Sequence, residues 1–544
     1  MKRNRKDSNS PGVALRLLVA AMGTLMGTMG EAQAIDIETS NPDVQISWGN
    51  TVRYNAGWRM QKRDSVISST PNSDEGDYAY DRGDMVTNRI DLLTELDVRY
   101  KTRTGFRLSA TAWNDFAFHD DVRTNPALAS RSSYTNNRFS SYTKRYSGGT
   151  SGEIMDAHVY NTLDLGDMPL AWKLGRQTVL WGEALSLSAH SVSYAQAPSD
   201  GYKAAANPGV DAKETALPVG QLSGTLQVMP RLSVSAQYYF EWKPSRLAEG
   251  GTYLSGTDFR LQGPDRYSRT PPAFVANRGV IKAKNSGEWG INTRWSPEWL
   301  DGTMGVYYRE FSERSPTTSL NIAANTYSAI YPENAKLFGL SLSKSFGAWS
   351  VGSELVHREK TALNSTVTDG ASEGARGNTT HLLLNAVTQL APGSLWDLGT
   401  FTAEVAYSRW DKVTSGEKYF TACYKRAVGD QEAGTGCVTK EAWQGFVRFS
   451  PSWVAVWPGW DMSASASYSV GLKGNGAVLG GGNYRAGSYG LGLTFTYNTK
   501  HDFTVAYNGY LGTYESTPAG VIRVSNGAQI QDRGWLVFTY KGSF

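Results

Sequence analysis

Short segments in which apolar and polar residues alternate recur along the whole chain. In one of them Tyr489, Leu491 and Leu493 alternate with Gly490 and Gly492. A period of two is typical of a β-strand with one apolar and one polar face. We count 18 such segments, at residues 45–59, 91–101, 106–118, 155–165, 170–177, 221–229, 232–243, 289–297, 303–312, 337–346, 349–358, 379–390, 397–410, 441–451, 459–472, 488–497, 502–512 and 534–544. Most are near the ~9–11 residues that a tilted membrane strand needs.

The connections between these segments alternate between short and long. Short turns include 102–105, 166–169, 230–231, 347–348 and 498–501. The long connections are residues 60–90, 119–154, 178–220, 244–288, 313–336, 359–378, 411–440, 473–487 and 513–533. An antiparallel up-and-down β-barrel in the outer membrane has this layout, with short periplasmic turns and long extracellular loops. The pattern therefore predicts one all-β transmembrane barrel of 18 strands, with 16 as the alternative count.

Composition agrees with a barrel but does not require one. The hydrophobic fraction is 40% and the mean hydropathy is -0.40, values that a soluble protein could also have. Barrels escape hydropathy scans because each strand alternates between lipid and lumen. The 29 Tyr, 17 Trp and 57 Gly would be explained by aromatic girdles at both membrane interfaces and by tight turns.

Both ends of the chain carry export signals. Basic residues, an interrupted apolar run over 13–29 and the small-x-small sequence 32–34 predict a secretory signal peptide over residues 1–34. A single barrel domain would then occupy 35–544. The final strand ends on an aromatic residue, as bacterial outer-membrane barrels do. The expected assembly signal consists of Leu536, Phe538, Tyr540 and Phe544.

Charge and cysteine content exclude several other classes. A net charge of +4 without a basic block argues against nucleic acid as a partner. In an oxidising periplasm, Cys423 and Cys437 are expected to form one loop disulfide, with two free thiols as the alternative. We expect no metal and no cofactor. An acidic stretch could hold a divalent cation, although a solvated loop is the favoured interpretation; it contains Asp74, Glu75, Asp77, Asp81 and Asp84.

Alternation along the strands also predicts which charged residues line the lumen. The expected wall residues are Glu95, Asp97, Arg99, Arg107, Asp115, Asp156, His158, Glu241, Glu354, Arg358 and Glu404. They form no ring of a single sign, which a strongly ion-selective pore would show. Ion pairs that brace the wall are an equally good interpretation. Two long connections, 178–220 and 244–288, are long enough to fold into the lumen.

A barrel enzyme is the least favoured class. Ser186, Ser188 and His190 lie together in a long loop, and some outer-membrane lipid hydrolases use Ser and His on a barrel. The same residues are ordinary in a serine-rich loop. The sequence has no convincing nucleophile elbow, nucleotide-binding loop or zinc-binding helix. We therefore expect no catalytic residues.

One stretch carries a family resemblance. The sequence LGRQTVLWGE over residues 174–183 is followed by Ala-Asn-Pro at 206–208 and Leu-Pro at 217–218. A Gly-Arg-Gln strand that runs into Trp-Gly-Glu, with these later elements, resembles the DUF1302 family of Gram-negative outer-membrane proteins. Within it, Arg176, Trp181 and Glu183 are candidates for contact with each other or with a plug loop.

The resemblance implies a context for function. Such proteins are often encoded beside a DUF1329-type periplasmic protein and an RND-type inner-membrane transporter, in clusters that concern sterols, lipids or esters. We therefore expect an outer-membrane route for small hydrophobic or amphipathic compounds, with membrane lipids and the barrel-assembly machinery as further partners. The alternatives are a general or substrate-specific diffusion porin and a barrel-type lipid hydrolase.

Overall fold

The computed structural model describes residues 35–70, 72–270, 273–321, 323–366, 368–370, 372–428, 431–516 and 522–544. The signal-peptide prediction for residues 1–34 lies outside the described residues. The domain boundary at residue 35 therefore stays a prediction.

Eighteen antiparallel strands form a closed barrel, as the sequence predicts. Every one of the 18 predicted segments overlaps one strand. The strands are β1 (Val44–Arg59), β2 (Met85–Tyr100), β3 (Thr104–Asp115), β4 (Ser151–Leu165), β5 (Met168–Gln177), β6 (Val219–Met229), β7 (Leu232–Tyr239), β8 (Trp289–Trp295), β9 (Gly302–Phe311), β10 (Ala335–Phe346), β11 (Trp349–Ala362), β12 (Arg376–Gln389), β13 (Leu398–Ser415), β14 (Glu441–Trp457), β15 (Trp460–Lys473), β16 (Gly487–Tyr497), β17 (His501–Leu511) and β18 (Trp535–Ser543). Each strand pairs with the next, and β18 pairs with β1 to close the ring.

Short turns on one rim alternate with long loops on the other, which confirms the up-and-down layout. Gly166, Gly347 and Gly459 occupy three of the short turns at φ values of 66, 59 and 76°. Glycine suits these positions because it adopts positive φ without steric cost. The two rims are therefore the periplasmic rim, with turns, and the extracellular rim, with loops.

The long loops contain small elements of their own. A five-stranded sheet is built from Arg266–Thr270, Ala273–Ile281, Thr317–Asn321, Thr326–Ile330 and Thr368–Asp369. Thr513–Ser516 and Ile522–Ser525 form a hairpin, and Ile35–Ile37 pairs with the start of β1. The α-helices are Ser65–Ser68, Glu75–Tyr78, Ser141–Ser147, Gly201–Ala206 and Ala212–Thr215. The 3-10 helices are Pro126–Arg131, Thr135–Asn137, Ser188–His190, Glu417–Tyr419, Cys423–Lys425, Ala433–Thr435 and Ala528–Ile530. Among the described residues, no helix is long and apolar enough to cross a membrane.

The outer face of the barrel is apolar and carries two aromatic rows. Large side chains such as Val306, Leu340 and Leu491 are more than half exposed, which only a lipid environment tolerates on this scale. Ring pairs near the extracellular rim are Trp289–Tyr308, Tyr308–Phe338, Tyr407–Trp443 and Tyr489–Tyr507. Ring pairs near the periplasmic rim are Trp349–Phe401, Trp396–Phe449, Trp457–Phe495 and Trp460–Phe503. Aromatic girdles around a closed antiparallel barrel place the protein in the outer membrane.

The last strand forms the seam with the first. Leu536, Phe538 and Tyr540 pair with Trp58, Ala56 and Tyr54, all of them on the lipid-facing side. The backbone of Phe544 exchanges hydrogen bonds with that of Asn50, at 2.6 and 2.8 Å between nitrogen and oxygen. Recognition of this strand by assembly machinery stays a prediction.

One disulfide braces an extracellular loop. Cys423 and Cys437 are bonded, with their Cα atoms 4.8 Å apart. Beside them, Phe420, Ala422 and Val438 belong to a small buried apolar cluster. The disulfide therefore crosslinks a packed part of the loop between β13 and β14.

Candidate functional site

The connection between β5 and β6, residues 178–218, folds into the barrel, and we call it the lumen loop. It contains the 3-10 helix Ser188–His190 and the helices Gly201–Ala206 and Ala212–Thr215. Its hydrogen bonds and ion pairs reach side chains on strands around much of the barrel. These partners include Arg53, Glu95, Gln237, Arg309, Glu354, Arg358, His381, Glu404, Gln444 and Lys541. The loop therefore crosses the lumen and is the natural constriction of the pore.

Glu404 holds the backbone of the lumen loop at one point. Its carboxylate oxygens accept hydrogen bonds from the backbone N–H groups of Leu185, Ser186 and Leu187 at 2.8, 2.7 and 2.6 Å. Successive N–H groups that converge on one anion form a concave nest, which favours negative charge. Glu404 is 3% exposed, so these contacts compensate for most of its lost hydration.

Glu354 makes a second contact of the same kind. Its carboxylate accepts the N–H groups of Glu183, Ala184 at 3.2 Å and Val192 at 2.7 Å, and the hydroxyl of Ser191 at 3.1 Å. Hydrogen bonds to a charged group each contribute roughly 1.5–3 kcal/mol. Glu354 thus binds both ends of the segment between residues 183 and 192, and Glu404 binds its middle.

Two buried arginines bind carbonyl oxygens of the same segment. Arg309 Nη1 donates to the carbonyls of Val192 at 2.9 Å and Tyr194 at 2.8 Å. Arg358 Nη2 donates to the carbonyl of Ala189 at 2.6 Å. The guanidinium of Arg358 also lies 3.9 Å from the ring centroid of Tyr194. Acids on the wall therefore bind loop N–H groups, while bases on the wall bind loop carbonyls.

A pair of histidines joins the loop to the wall. His190 Nδ1 lies 3.0 Å from His381 Nδ1, and His190 Nε2 lies 3.2 Å from Gln444 Oε1. His381 Nε2 lies 2.6 Å from Arg358 Nη2. One tautomer set satisfies every contact: Arg358 donates to His381, His381 donates to His190, and His190 donates to Gln444. Both imidazoles are neutral in this arrangement.

The opposite side of the loop is held by charge pairs. Arg53 Nη1 and Lys203 Nζ contact the carboxylate of Glu214 at 2.7 and 2.8 Å. Burial opposes ionisation of Glu214, but Arg53 and Lys203 outweigh it and hold its pKa at about 2. Lys541 on β18 contacts Asp211 at 2.6 Å.

By contrast, the wall formed by β15, β16 and β17 carries small polar side chains. Its inward positions keep partial solvent exposure; they include Ser463, Ser465, Ser467, Gly490, Gly492, Thr494 and Thr504. Within the described part of the chain, no hydrogen bond or ion pair joins the lumen loop to these three strands. The polar contacts that hold the lumen loop therefore lie on other strands.

The extracellular loops cover the mouth of the barrel, and we call residues 60–84, 116–150 and 240–288 the cap. Its three parts bind one another: Tyr134 donates to the carbonyl of Gly250 at 2.6 Å. Asp258 accepts the N–H groups of Asp74 at 3.0 Å and Glu75 at 3.2 Å. The cap also binds the lumen loop: Arg246 contacts Asp200 at 3.0 Å, and its backbone exchanges hydrogen bonds with Ser199 and Gly201, so the two form one connected obstruction of the pore.

Two small cavities lie between the cap and the lumen loop. Their volumes are about 20 and 30 Å³, which is the scale of single water molecules. They share the residues Val86, Asp115, Ser147, Tyr202 and Tyr253. Aromatic side chains line both cavities, together with the carboxylate of Asp115 and, in the larger cavity, that of Asp121.

The acidic stretch 74–84 is part of the cap, and the favoured interpretation of it as a solvated loop needs correction. Asp74, Glu75 and Asp77 are 2, 1 and 0% exposed, so these three do not form a solvated loop. Asp77 pairs with Arg59 at 2.6 Å. No cluster of three metal-ligating side chains exists among the described residues. Desolvation raises the pKa of Glu75 well above its usual value, and Asp258 adds to this effect.

Other predicted wall residues lie outside the loop contacts. Arg107 pairs with Glu95 and lies 3.5 Å from Asp156 in the periplasmic half of the lumen. Asp115, at the end of β3, accepts the N–H groups of Asn88 and Ala117, both at 2.9 Å. These residues brace the wall and its upper rim.

The three motif residues contact different partners. Arg176 and Glu183 do not contact each other; Arg176 lies 3.8 Å from Glu241, and Glu183 lies 3.2 Å from Arg294. Trp181 belongs to the lumen loop, where its backbone N–H donates to Gln196 at 2.8 Å. Because β7 ends at Tyr239, Glu241 lies above the strand and not on its lumen face.

Sequence reasoning missed several anchors of the loop. Arg309 on β9, His381 on β12 and Arg53 on β1 all lie at inward positions of their strands. Continuing the period-two pattern through each strand would have identified all three. Glu214 and Lys203 could not have been found in this way, because they lie on short loop helices without a sheet period.

These features define an outer-membrane β-barrel with a constricted lumen. The chain belongs to the DUF1302 family, described as proteins of unknown function, which it matches over residues 15–544. This confirms the resemblance carried by residues 174–183.

Solved barrels of other bacteria resemble this chain at low identity. OccAB4 of Acinetobacter baumannii is 9% identical with a TM-score of 0.43, and the match covers 93% of this chain and 100% of that one. OpdK of Pseudomonas aeruginosa is 9% identical with a TM-score of 0.41 over 92% and 98% of the two chains. The A. baumannii channel DcaP is 10% identical with a TM-score of 0.39 over 94% and 100%. No curated protein matches the sequence significantly.

Proposed function

We propose that the protein is a gated outer-membrane channel for small hydrophobic or amphipathic compounds. The observation that carries the proposal is the lumen loop, which is bound across the barrel and yet leaves the wall of β15, β16 and β17 without a polar contact among the described residues. A loop bound to part of the barrel wall narrows a pore without filling it. Passage along the small polar wall then requires no catalytic step.

The entrance supports an amphipathic substrate. The two cavities between the cap and the lumen loop are lined by aromatic side chains, among them Phe118, Tyr202, Tyr253 and Trp535, together with the charged Arg89 and Asp115. Aromatic faces bind apolar bodies, and a few placed polar groups orient the ligand. A compound with an apolar body and one polar group fits this lining better than a fully hydrated sugar.

A diffusion porin of broader selectivity is the second candidate. The hydroxyl and glycine lining at Ser465, Ser467, Gly490 and Gly492 favours it, because such a surface binds no particular solute class strongly. The two candidates differ in rank order of permeation. A hydrophobic ester would pass faster than a hexose of similar mass under the first, and more slowly under the second.

The hydrolase alternative receives no support from the loop geometry. Both nitrogens of His190 are engaged, with His381 and Gln444, and no contact between His190 and a serine hydroxyl occurs among the described residues. A serine nucleophile needs a base within about 2.6–3.2 Å.

We also propose handover to a periplasmic DUF1329-type protein and an RND-type transporter. This part rests on the family resemblance alone. Crosslinking from the periplasmic turns at 166–167 and 347–348 in intact cells would test it. Recovery of the barrel without such a partner would remove this part and leave the channel proposal intact.

The channel proposal is tested by conductance of the purified barrel in a planar bilayer, before and after deletion of residues 185–192. We expect a nearly silent intact barrel and steady opening after the deletion, because this segment carries most contacts to Glu354 and Glu404. The charge-neutralising variant Asp502→Asn on β17 serves as the control and should stay silent. A barrel that remains closed after the deletion would contradict the proposal.

A further inference from the structure

The outer wall of the barrel carries a cavity at its extracellular rim. Its volume is about 770 Å³, and its lining includes Met60, Tyr468, Val470 and Leu511. Tyr468 and Val470 face lipid, because they alternate along β15 with the inward serines 467 and 469. The cavity therefore opens to the membrane side and is distinct from the lumen.

Strand register places this cavity in the headgroup layer. Tyr468 pairs with Tyr489, whose ring lies 5.9 Å from that of Tyr507 in the extracellular aromatic row. Val470 and Leu511 both pair with Gly487, one step nearer the extracellular rim. Aromatic rows mark the boundary between hydrocarbon and headgroups. The cavity thus begins at this boundary and extends outward from it.

The lining of the rim cavity is basic. Lys62, Arg82 and Arg485 are exposed, and within the described residues their side chains make no hydrogen bond or ion pair. A fourth base, Arg63, pairs with Asp81 and lies 4.1 Å from the ring centroid of Tyr78. Three cationic groups therefore face the headgroup layer without a protein counter-charge.

The two acids of the same lining are turned to other partners. Asp532 contacts Arg59 at 3.1 Å and accepts the N–H of Asp64 at 2.7 Å. Asp64 accepts the N–H of Val66 at 2.8 Å and the hydroxyl of Tyr514 at 3.3 Å. Both carboxylates accept hydrogen bonds from other groups, and the four bases of the lining outnumber them, so the surface presented to a ligand is positive.

An apolar groove continues from the rim cavity down the outer wall. It has a volume of about 370 Å³ and shares Tyr468 and Val470 with the rim cavity. Ala386, Ala403 and Gly445 form its floor, so adjacent strands β12, β13 and β14 present small side chains where the rest of the wall has large ones. This leaves an apolar depression beside larger side chains such as Leu384 and Leu472.

We propose that the rim cavity and the apolar groove together bind one phosphorylated lipid of the outer leaflet. Its phosphate would lie among Lys62, Arg82 and Arg485, since guanidinium and ammonium groups bind phosphate strongly. An acyl chain would lie over Ala403 and Gly445. A soluble anion would use only the basic part, whereas a lipid explains why the basic and apolar parts adjoin at this height.

Native mass spectrometry of the detergent-solubilised full barrel with diphosphorylated lipid A tests the proposal. We expect the triple variant Lys62→Gln, Arg82→Gln, Arg485→Gln to bind lipid A at least tenfold more weakly. Lipid A from which the phosphates have been removed should bind equally weakly to both proteins. All three side chains are exposed, so the variant should fold, which heat-modifiable gel mobility checks.

The matched control removes the same charge elsewhere, through Arg138→Gln, Arg278→Gln and Lys282→Gln in other extracellular loops. It should bind lipid A as the unaltered barrel does. A second variant, Ala403→Leu with Gly445→Leu, fills the groove and should weaken lipid A binding while the basic residues remain.

Three results would overturn the proposal. One is an equal loss of lipid A binding in the control variant. Another is full displacement of lipid A by millimolar inorganic phosphate, which would make a soluble anion the occupant. The third is a shift from dimer to monomer in the triple variant without any change in lipid binding, which would make a second copy of the chain the occupant.

Discussion

Two walls of the same lumen differ in their contacts with the lumen loop that crosses it. On β11, β12 and β13 the inward side chains Glu354, Arg358, His381 and Glu404 are buried against the lumen loop. On β15, β16 and β17 the inward positions are serine, threonine and glycine that keep partial exposure. A pore can therefore be narrowed by charges that bind backbone on one side and by small side chains that leave space on the other.

The difference follows from the number of backbone hydrogen bonds that each type of side chain can make. A carboxylate or guanidinium satisfies several N–H or C=O groups at once, which a non-regular loop needs when it is buried. Serine and glycine offer few such contacts, so a loop gains little by lying against them. The position of the loop is thus set by where the charged wall residues occur along the strands.

The largest effect on open probability is expected when the carboxylates of Glu354 and Glu404 are both removed. The double variant Glu354→Ala, Glu404→Ala leaves three loop N–H groups unpaired at each site. The loss of about 3 kcal/mol or more should raise open probability about 100-fold. Single-channel recording measures this, and an unchanged open probability would show that the charged wall does not hold the loop.

Above about pH 6.5, the pH dependence should come from the cap, because burial lowers the pKa of His190 in the lumen loop to about 4 and so affects closure only at lower pH. Burial raises the pKa of Glu249 from 4.5 to about 8, and burial followed by Asp74 raises that of Asp258 to about 8. Between pH 4.5 and 8, Glu249 and Asp258 stay protonated in the closed cap but would lose their protons in open, solvated loops. Closure therefore weakens as pH rises. We expect open probability to be about tenfold higher at pH 8 than at pH 6.5.

Glu249→Gln should flatten part of this dependence, because a neutral amide has no proton to lose. Lumen-loop closure at Glu214 should not respond in the same window, since its pKa is held at about 2 and that contribution is lost only below the unfolded value. A wild-type barrel whose opening is constant from pH 6.5 to 8 would contradict the assignment to the cap.

A large side chain on the wall of β15, β16 and β17 should lower the conductance of the open channel. Ser465→Trp places a large ring at an inward position of β15, on the wall along which we propose passage. We expect about a threefold fall in the conductance of the opened double variant. Ala464→Trp on the lipid face is the control and should leave conductance unchanged; equal effects of both would refute a path along this wall.

The smallest effect is expected at a half-exposed contact of the loop. Lys541 and Asp211 are 22 and 34% exposed, so their ion pair is screened by water. Lys541→Ala should change open probability by about twofold at most, in the same recordings. A change as large as that of the carboxylate variant would mean that charge at any position, and not backbone binding, holds the loop.

Sequence alone predicts the barrel well because strands and turns are encoded by neighbouring residues. Alternation within β16 and the length of a turn such as 498–500 can be seen without knowing any distant contact. The inward direction of Glu354 and Glu404 also follows from the period of two. That both would bind N–H groups about 170 or more positions away does not, because no local pattern encodes it.

The acidic stretch shows the same limit. Asp74 and Glu75 have the composition of a solvated loop, yet they are buried because Asn125, Ser133 and Asp258 come from other loops. Arg176 and Glu183 are only seven positions apart, but a bend after β5 directs them to different partners. The packing of loops against one another could not be predicted from the strand period or from composition.

The seam between β1 and β18 gives the barrel an order of assembly. Thr539 donates to Asn55 at 2.6 Å across a separation of 484 positions, and Trp535 packs against Gly57 so closely that an added Cβ would come within 2.7 Å of its ring. Joining such distant segments has the largest chain-entropy cost of any strand pair in the ring. The remaining 17 pairings link strands that follow one another, so they can form progressively. We expect closure to be the last step of assembly, and a larger residue at Gly57 would hinder it because its side chain would clash with the ring of Trp535 in the closed seam.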